Sequence, residues 1–477
     1  MIVGWNISDK AKNFILFAAV FLFFVFLPAG LRLGYHCRLY PYELMWENLW
    51  GAGFSFDSFW GPKPFIVIIS YLGRLSLLYP LAAAFNALLV TSLAGLSRRM
   101  NAGTLSGIFG ALLYFFCGYW GLTEFFQVYW MVFYVPLVFF SLLMLVEKKY
   151  GACVSGLFFA GLIRPEAWVY AGLALAWIYR QKKFRKVYLW GMSAPLLWSL
   201  VDYRISGDLW YSFRAAGQYS SLTLMKPTYF REFWPYICRQ LAAAYNGWLL
   251  AAGAIGLLYC LWPVPKNKTD SSAARPLACS IALPFLLYWL ESVSGKLIIY
   301  PRFFAMSAAG LCLCVAVMAA RIMINQRILS VLVLSLVFAF VFKPDVFLSA
   351  MLYKIKDNIK ETTSRELADF LQNHLSDFSQ KEKILVGDNM NYLSLRLGRD
   401  FSRRTVSFEA AGNTPDFSRL KTMIPALAVW QFADYHCVGI RFDFLGEQRS
   451  CYLGRYKFTL LYVTSNRLGS VYRVEDE

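Results

Sequence analysis

Charge is scarce in this chain. Only 16% of its 477 residues are Asp, Glu, Lys or Arg, against about 25% in an ordinary soluble domain. With 58% hydrophobic residues, that shortage excludes both a disordered chain and a single soluble globule. Histidine is scarcer still. The three copies, His36, His374 and His436, are too scattered for a zinc site, and none of the ten cysteines forms a C-x-x-C pair, so no metal motif is expected. Neither an internal repeat nor a low-complexity stretch is found.

What the chain has instead is a series of apolar runs separated by short basic clusters: Lys10/Lys12, Arg98/Arg99, Lys148/Lys149, Arg180 to Lys186, Lys266/Lys268/Arg275 and Arg321/Arg327. The net charge of +18 lies almost wholly in this apolar part, because residues 346–477 carry 18 Lys+Arg against 16 Asp+Glu. Clusters of this kind mark cytoplasmic loops under the positive-inside rule and argue against nucleic acid as a partner. The runs predict an α-helical polytopic membrane protein with about 11 transmembrane helices. They fall at 14–31, 83–97, 103–122, 126–146, 151–163, 166–179, 187–203, 241–263, 276–292, 303–320 and 328–343. The first is read as a retained span with its N-terminus inside, since no A-x-A site follows it. Lys63 to Tyr79 reads as an interfacial helix. The runs 151–163 and 166–179 are short for spans and read as a re-entrant hairpin with Arg164-Pro165-Glu166 at its apex.

The odd span count puts the tail on the opposite side from the N-terminus. Two domains are expected: a transmembrane domain, 1–345, and a small extracytoplasmic α/β domain, 346–477. In the latter, Thr363-Ser-Arg-Glu366 fits a capping box and Leu367, Phe370, Leu371 and Leu375 recur at helical spacing. Short strand-like runs lie at 384–388, 437–440, 458–463 and 471–474. Cys437 and Cys451 form a disulfide or remain two free thiols, according to the compartment.

Carboxylates carry information here because they are few and costly near a bilayer. Ten lie on the outer side or at membrane depth in this topology: Glu43, Glu47, Asp57, Glu124, Glu166, Asp202, Asp208, Glu232, Glu291 and Asp345. Glu43 and Glu47 stand four apart, on one face of a helix starting near Pro41. Mutual repulsion and partial burial raise at least one such pKa towards that of a general base. The alternative reading makes Glu43 a helix-dipole partner and Glu47 a solvated helix residue.

At this point the chain resembles a family. A loop with carboxylates running into Glu47-Asn-Leu-Trp-Gly-Ala-Gly-Phe54, the stretch Gly61-Pro-Lys-Pro64, a short hairpin with Arg164-Pro-Glu166, Pro301-Arg-Phe-Phe304 entering a late span, and the appended tail are together similar to the GT-C glycosyltransferases. The resemblance is to the branch of the protein O-mannosyltransferases and the lipid A aminoarabinose transferase. It implies transfer of a sugar from a polyprenyl-phosphate carrier to an acceptor on the outer face of a cell membrane, with an acidic residue of the first outer loop as base. The family's acidic position falls here on Cys37-Arg38. Either Glu43 takes the role, with Glu47 and Glu124 as further candidates, or the chemistry has been lost.

A lipid-phosphate leaving group calls for arginines at the interface, since a guanidinium binds two phosphate oxygens at once. Arg302, Arg164, Arg204 and Arg214 are the candidates, Arg164 having the alternative of a local pair with Glu166. The expected reaction is an inverting transfer without metal or cofactor, to a lipid, glycan or protein hydroxyl. A transporter or flippase of a lipid-linked or anionic solute is the rival reading. The absence of an inverted repeat and the long loops on one side weigh against it.

Overall fold

In a computed structural model of the chain, residues 9–30, 77–117, 130–214, 230–245, 247–261, 271–293, 304–322, 362–378, 382–386, 404–407, 426–431, 449–453 and 455–476 are described, with a few single positions between them. Among the described residues before the C-terminal region, the α-helices are α1 (Asp9–Gly30), α2 (Leu78–Arg99), α3 (Gly103–Cys117), α4 (Met131–Val146), α5 (Tyr150–Ile163), α6 (Glu166–Arg180), α7 (Ala194–Ser206), α8 (Phe230–Tyr245), α9 (Gly247–Leu261), α10 (Ser271–Val293) and α11 (Ala305–Ile322). Among the described residues, Leu78–Arg99, Ala273–Leu290 and Ala305–Ile322 are long and apolar enough to cross a membrane, and five further helices are apolar but shorter.

Several of these helices expose large apolar side chains, the reverse of a soluble bundle. On α7, Leu196, Leu200 and Tyr203 are exposed while Trp198 and Asp202 are buried. On α9, Ile255 and Leu258 face out. Such faces suit lipid and would aggregate in water. Inside the bundle there is no water to drive helices together, so close backbone approach does much of the work. A Cβ added at Gly256 of α9 would stand 2.7 Å from the Cys314 carbonyl oxygen of α11. Only glycine permits that approach.

One expected span is divided. The run 187–203 is a 3-10 helix, Lys186–Ser193, followed by α7, because Pro195 at the first turn favours a fresh helix start. Of the run 241–263, residues 241–245 belong to α8 and 247–261 to α9, and Asn246 lies outside the described residues. The expected span 328–343 lies outside the described residues, as does most of Lys63 to Tyr79.

In α10 the interior Pro284 has no N–H to give the Ser280 carbonyl four residues earlier. Tyr170 of α6 supplies the missing donor, its hydroxyl lying 2.9 Å from Ser280 O. In an apolar medium that substitution keeps a proline-containing helix tolerable.

The C-terminal region holds a helix, α12 (362–374), and a six-stranded sheet in the order β2-β1-β3-β6-β5-β4. The strands are β1 (Lys383–Val386), β2 (Thr405–Ser407), β3 (Ala426–Gln431), β4 (Ser450–Leu453), β5 (Tyr456–Val463) and β6 (Gly469–Asp476). β1 is parallel to β2 and β3, while β6 runs antiparallel to both β3 and β5. Leu367 and Leu371 of α12 share one core with Ile384, Leu427, Val429 and Val471, as the helical spacing predicts. The capping-box reading gives way to a tertiary contact. Glu366 accepts the N–H and hydroxyl of Ser465 in the β5–β6 turn, both at 2.6 Å. The expected strand at 437–440, and with it Cys437 of the Cys437–Cys451 pairing, lies outside the described residues.

Candidate functional site

Pro165 creates the site. Its ring disfavours a helical conformation at the preceding residue, and Arg164 is extended at φ −143°, ψ 132°, which ends α5. Pro165, at φ −64°, ψ −23°, then leads into α6, where its missing N–H is no loss. The runs 151–163 and 166–179 are two helices, α5 and α6, meeting at Arg164-Pro165.

Breaking a helix inside an apolar bundle exposes carbonyls that need donors. The Gly161 carbonyl receives two, the indole N–H of Trp168 at 3.0 Å and that of Trp198 at 2.8 Å. The Arg164 N–H still reaches the Ala160 carbonyl at 2.9 Å. Side chains from α6 and α7 thus converge on the carbonyl nearest the break.

Arg164 and Glu166 are 6% and 8% exposed. The Arg164 Nε lies 3.1 Å from Glu166 Oε1 and 3.0 Å from Oε2, and Nη2 also donates to Oε1. Arg164 thus forms the local pair with Glu166 that is one of the two readings open for it. Glu166 opens α6, where the partial positive charge of the helix N-terminus adds to the guanidinium. A lone charge at this depth costs several kcal/mol. The two together are neutral, and both carboxylate oxygens are engaged.

A third group completes the cluster. The Tyr288 hydroxyl of α10 donates to Glu166 Oε1 at 2.9 Å, and the Arg164 guanidinium carbon lies 5.9 Å from the Tyr288 ring centroid. The Tyr288 ring also meets Phe304, centroids 5.3 Å apart and planes at 71°. Phe304 is fully buried, packs on Phe285 at 4.8 Å and immediately precedes α11. A continuous column thus runs from the α5–α6 break through α10 to the start of α11.

The remaining expected site residues divide into two groups. Glu43, Glu47, Glu124 and Arg302 lie outside the described residues. Arg204 and Arg214 are described and exposed, and Arg214 pairs with Asp208. Hydrogen bonding from the Trp210 N–H, at 2.9 Å, and the charge of Arg214 hold the Asp208 carboxyl below its ordinary value. Nearby, the buried Asp202 accepts the Ser212 N–H at 3.0 Å and its hydroxyl at 2.6 Å, pinning the segment after α7. Arg204 and Arg214 share this edge of the bundle. The cluster of Arg164, Glu166 and Tyr288 stands apart from it in chemistry, being buried and charge-balanced.

Tyr288 and Tyr170 were not singled out by the sequence reasoning. Each is a hydroxyl within an apolar run, and in a bilayer such a group requires a partner. That requirement is a signal that could have drawn attention to them, though it names no partner. Among the described residues, no group of three or more His, Cys, Asp or Glu is placed to hold a metal ion.

No family model matches the chain, and no curated protein matches it in sequence. Among solved structures, it is similar to ArnT from Cupriavidus metallidurans, crystallised in the apo state, at 14% identity and a TM-score of 0.43 over 98% of each chain.

Proposed function

We propose that the protein is an integral-membrane glycosyltransferase that moves a sugar from a polyprenyl-phosphate donor to an acceptor hydroxyl on the extracytoplasmic face of the cell membrane. The observation that carries this reading is the buried ion pair of Arg164 and Glu166 at a proline-broken helix joint. An ionised pair retained in an apolar bundle marks function by default. This one falls on the Arg-Pro-Glu element by which the sequence resembles the GT-C glycosyltransferases.

In the proposed mechanism, Glu43 removes the proton from the acceptor hydroxyl as that oxygen attacks the anomeric carbon, with Glu47 and Glu124 as the alternative bases. The bond to the carrier phosphate breaks on the opposite face of the sugar, so the configuration inverts. Arg302 binds the departing phosphate, and its charge offsets the negative charge that develops there. Arg204 and Arg214 add positive potential at the same interface. Arg164 is committed to Glu166, and we assign it to positioning. The sheet region, as an extracytoplasmic domain, contributes to acceptor binding.

A transporter of a lipid-linked solute also uses broken helices lined by charge, so the α5–α6 joint favours it as the second reading. Incubating the purified protein with a radiolabelled polyprenyl-phosphate sugar separates the two. Release of free carrier that is lost in Glu43→Gln supports transfer. Movement of intact lipid between leaflets without bond cleavage supports transport.

A further inference from the structure

The turn after α6 concentrates charge that nothing nearby balances. Arg180, Lys182, Lys183, Arg185 and Lys186 place five cations within seven positions, and no Asp or Glu occurs between Glu166 and Asp202. All five side chains are exposed, and among the described residues none of them has an acidic partner. The basic cluster between α4 and α5 differs, because Lys149 and the neighbouring Arg99 both pair with Glu147.

The cationic turn is held by its own contacts. The Lys182 N–H donates to the Tyr179 carbonyl at 2.9 Å and the Lys183 N–H to the Ile178 carbonyl at 3.3 Å, which closes α6 in the way a left-handed residue past a helix end does. The rings of Tyr179, Phe184, Tyr188 and Tyr150 follow one another at centroid spacings of 6.0, 6.5 and 6.4 Å and tie the turn to the start of α5. The left-handed residue is Lys182, at φ 54°, where glycine would carry no steric cost. A lysine there gives up stability and gains a charge.

Apolar side chains come next. In the 3-10 helix Lys186–Ser193 only Gly191 is buried, and a Cβ there would stand 2.4 Å from Val154 Cγ1, so this helix lies directly on α5. Val187, Leu189, Trp190 and Met192 stay exposed, and Leu196 continues the apolar surface into α7.

We propose that the connection from α6 to α7, residues 180–193, is a docking site for anionic phospholipids: the five cations hold the headgroups, and Val187, Leu189, Trp190 and Met192 sit among the acyl chains. A basic stretch running into exposed aliphatic and indole side chains matches a charged headgroup layer above a hydrocarbon layer. A nucleic acid or an acidic protein would match the cations alone. The site uses no residue of the proposed transfer mechanism and stands or falls without it.

The test uses the full chain in detergent, titrated with acyl-labelled phosphatidylglycerol, with phosphatidylcholine as the neutral probe and glycerol 3-phosphate as the headgroup chemistry without acyl chains. Wild type should bind phosphatidylglycerol at least about tenfold more tightly than phosphatidylcholine, and added salt should narrow the gap. The triple variant Lys183→Gln, Arg185→Gln, Lys186→Gln should lose that preference. A matched triple, Arg98→Gln, Arg99→Gln, Lys149→Gln, should keep it, because those side chains already have partners. Lys182→Gly should weaken phosphatidylglycerol binding about fivefold, the worth of one cation near an anionic surface, while raising the melting temperature; it carries the test if the first triple fails to fold. Equal affinity of wild type for the two lipids, a preference that survives the loop substitutions, or one lost equally in the matched triple overturns the proposal. Displacement of the lipid by glycerol 3-phosphate at equal concentration also overturns it, since the loop would then be a site for a soluble phosphate.

Discussion

The Tyr288 hydroxyl donates to the Glu166 carboxylate at 2.9 Å across 122 positions of sequence. With this bond, a local motif, Arg-Pro-Glu, becomes a joint between three helices. Glu166 opens α6, Arg164 closes α5 and Tyr288 comes from the C-terminal part of α10.

The energetics of that joint predict an unusual ordering of variants. Removing Arg164 alone strands a buried carboxylate, so Arg164→Met should cost about 3–5 kcal/mol. Removing both charges, as in Arg164→Met with Glu166→Leu, should cost less than the single change, because no uncompensated ion remains. Denaturation of the purified variants in detergent checks the ordering. A double variant less stable than Arg164→Met would contradict the ion-pair account.

The Pro284 joint makes a second, independent prediction. Tyr170→Phe should destabilise by about 0.5–1.5 kcal/mol, because the Ser280 carbonyl loses its donor. In a Pro284→Ala background the restored backbone N–H can take that carbonyl, and the same substitution should cost markedly less. A double-mutant cycle on melting measures the coupling.

Packing of α9 on α11 predicts a steric limit. Gly256→Ala places a methyl group 2.7 Å from the Cys314 carbonyl oxygen, a backbone atom that cannot rotate aside. A loss of about 1–3 kcal/mol is expected, on the scale of overpacking a close-fitted interface. Gly151→Ala meets nothing within 4 Å and should be nearly silent in the same melting assay.

The loop between α4 and α5 predicts acid sensitivity. Partial burial raises the Glu147 carboxyl, but hydrogen bonds and charges from Lys149 and Arg99, the latter at 3.3 Å, outweigh it and hold the carboxyl below its ordinary value. A carboxylate depressed in the folded state adds stability above its unfolded pKa, and that contribution is lost as pH falls through the lower folded value. Screening at this partly exposed site keeps the effect small. Melting of wild type and Glu147→Gln should therefore diverge at neutral pH and converge in acid, below the ordinary carboxylate range.

The elements legible in the sequence are those that one short segment determines. The break at Arg164-Pro165 could be read because proline acts on its own neighbour, and Leu367 and Leu371 could be read because their period is local. The division of 187–203 was hidden because hydropathy averages over Pro195, whose effect is conformational. Glu366 illustrates the same limit: its capping-box spacing is correct, yet its carboxylate serves the Ser465 turn. Tyr288 was invisible for a stronger reason, since nothing within α10 specifies a partner on α6. The ten-carboxylate inventory did include Glu166 and Asp202, and both prove buried and fully engaged. Scarcity of charge in an apolar chain marks both in the sequence, and for Glu166 the local pair with Arg164 is legible as well.

The most direct test of the account is the fate of the donor bond. Purified protein in nanodiscs is incubated with a polyprenyl-phosphate sugar labelled in both sugar and lipid, and the two labels are followed separately. The account predicts that they part, with free polyprenyl phosphate accumulating in wild type and falling to background in Glu43→Gln and Arg302→Ala. Labels that stay together while the lipid changes leaflet, or carrier release untouched by either substitution, would contradict it.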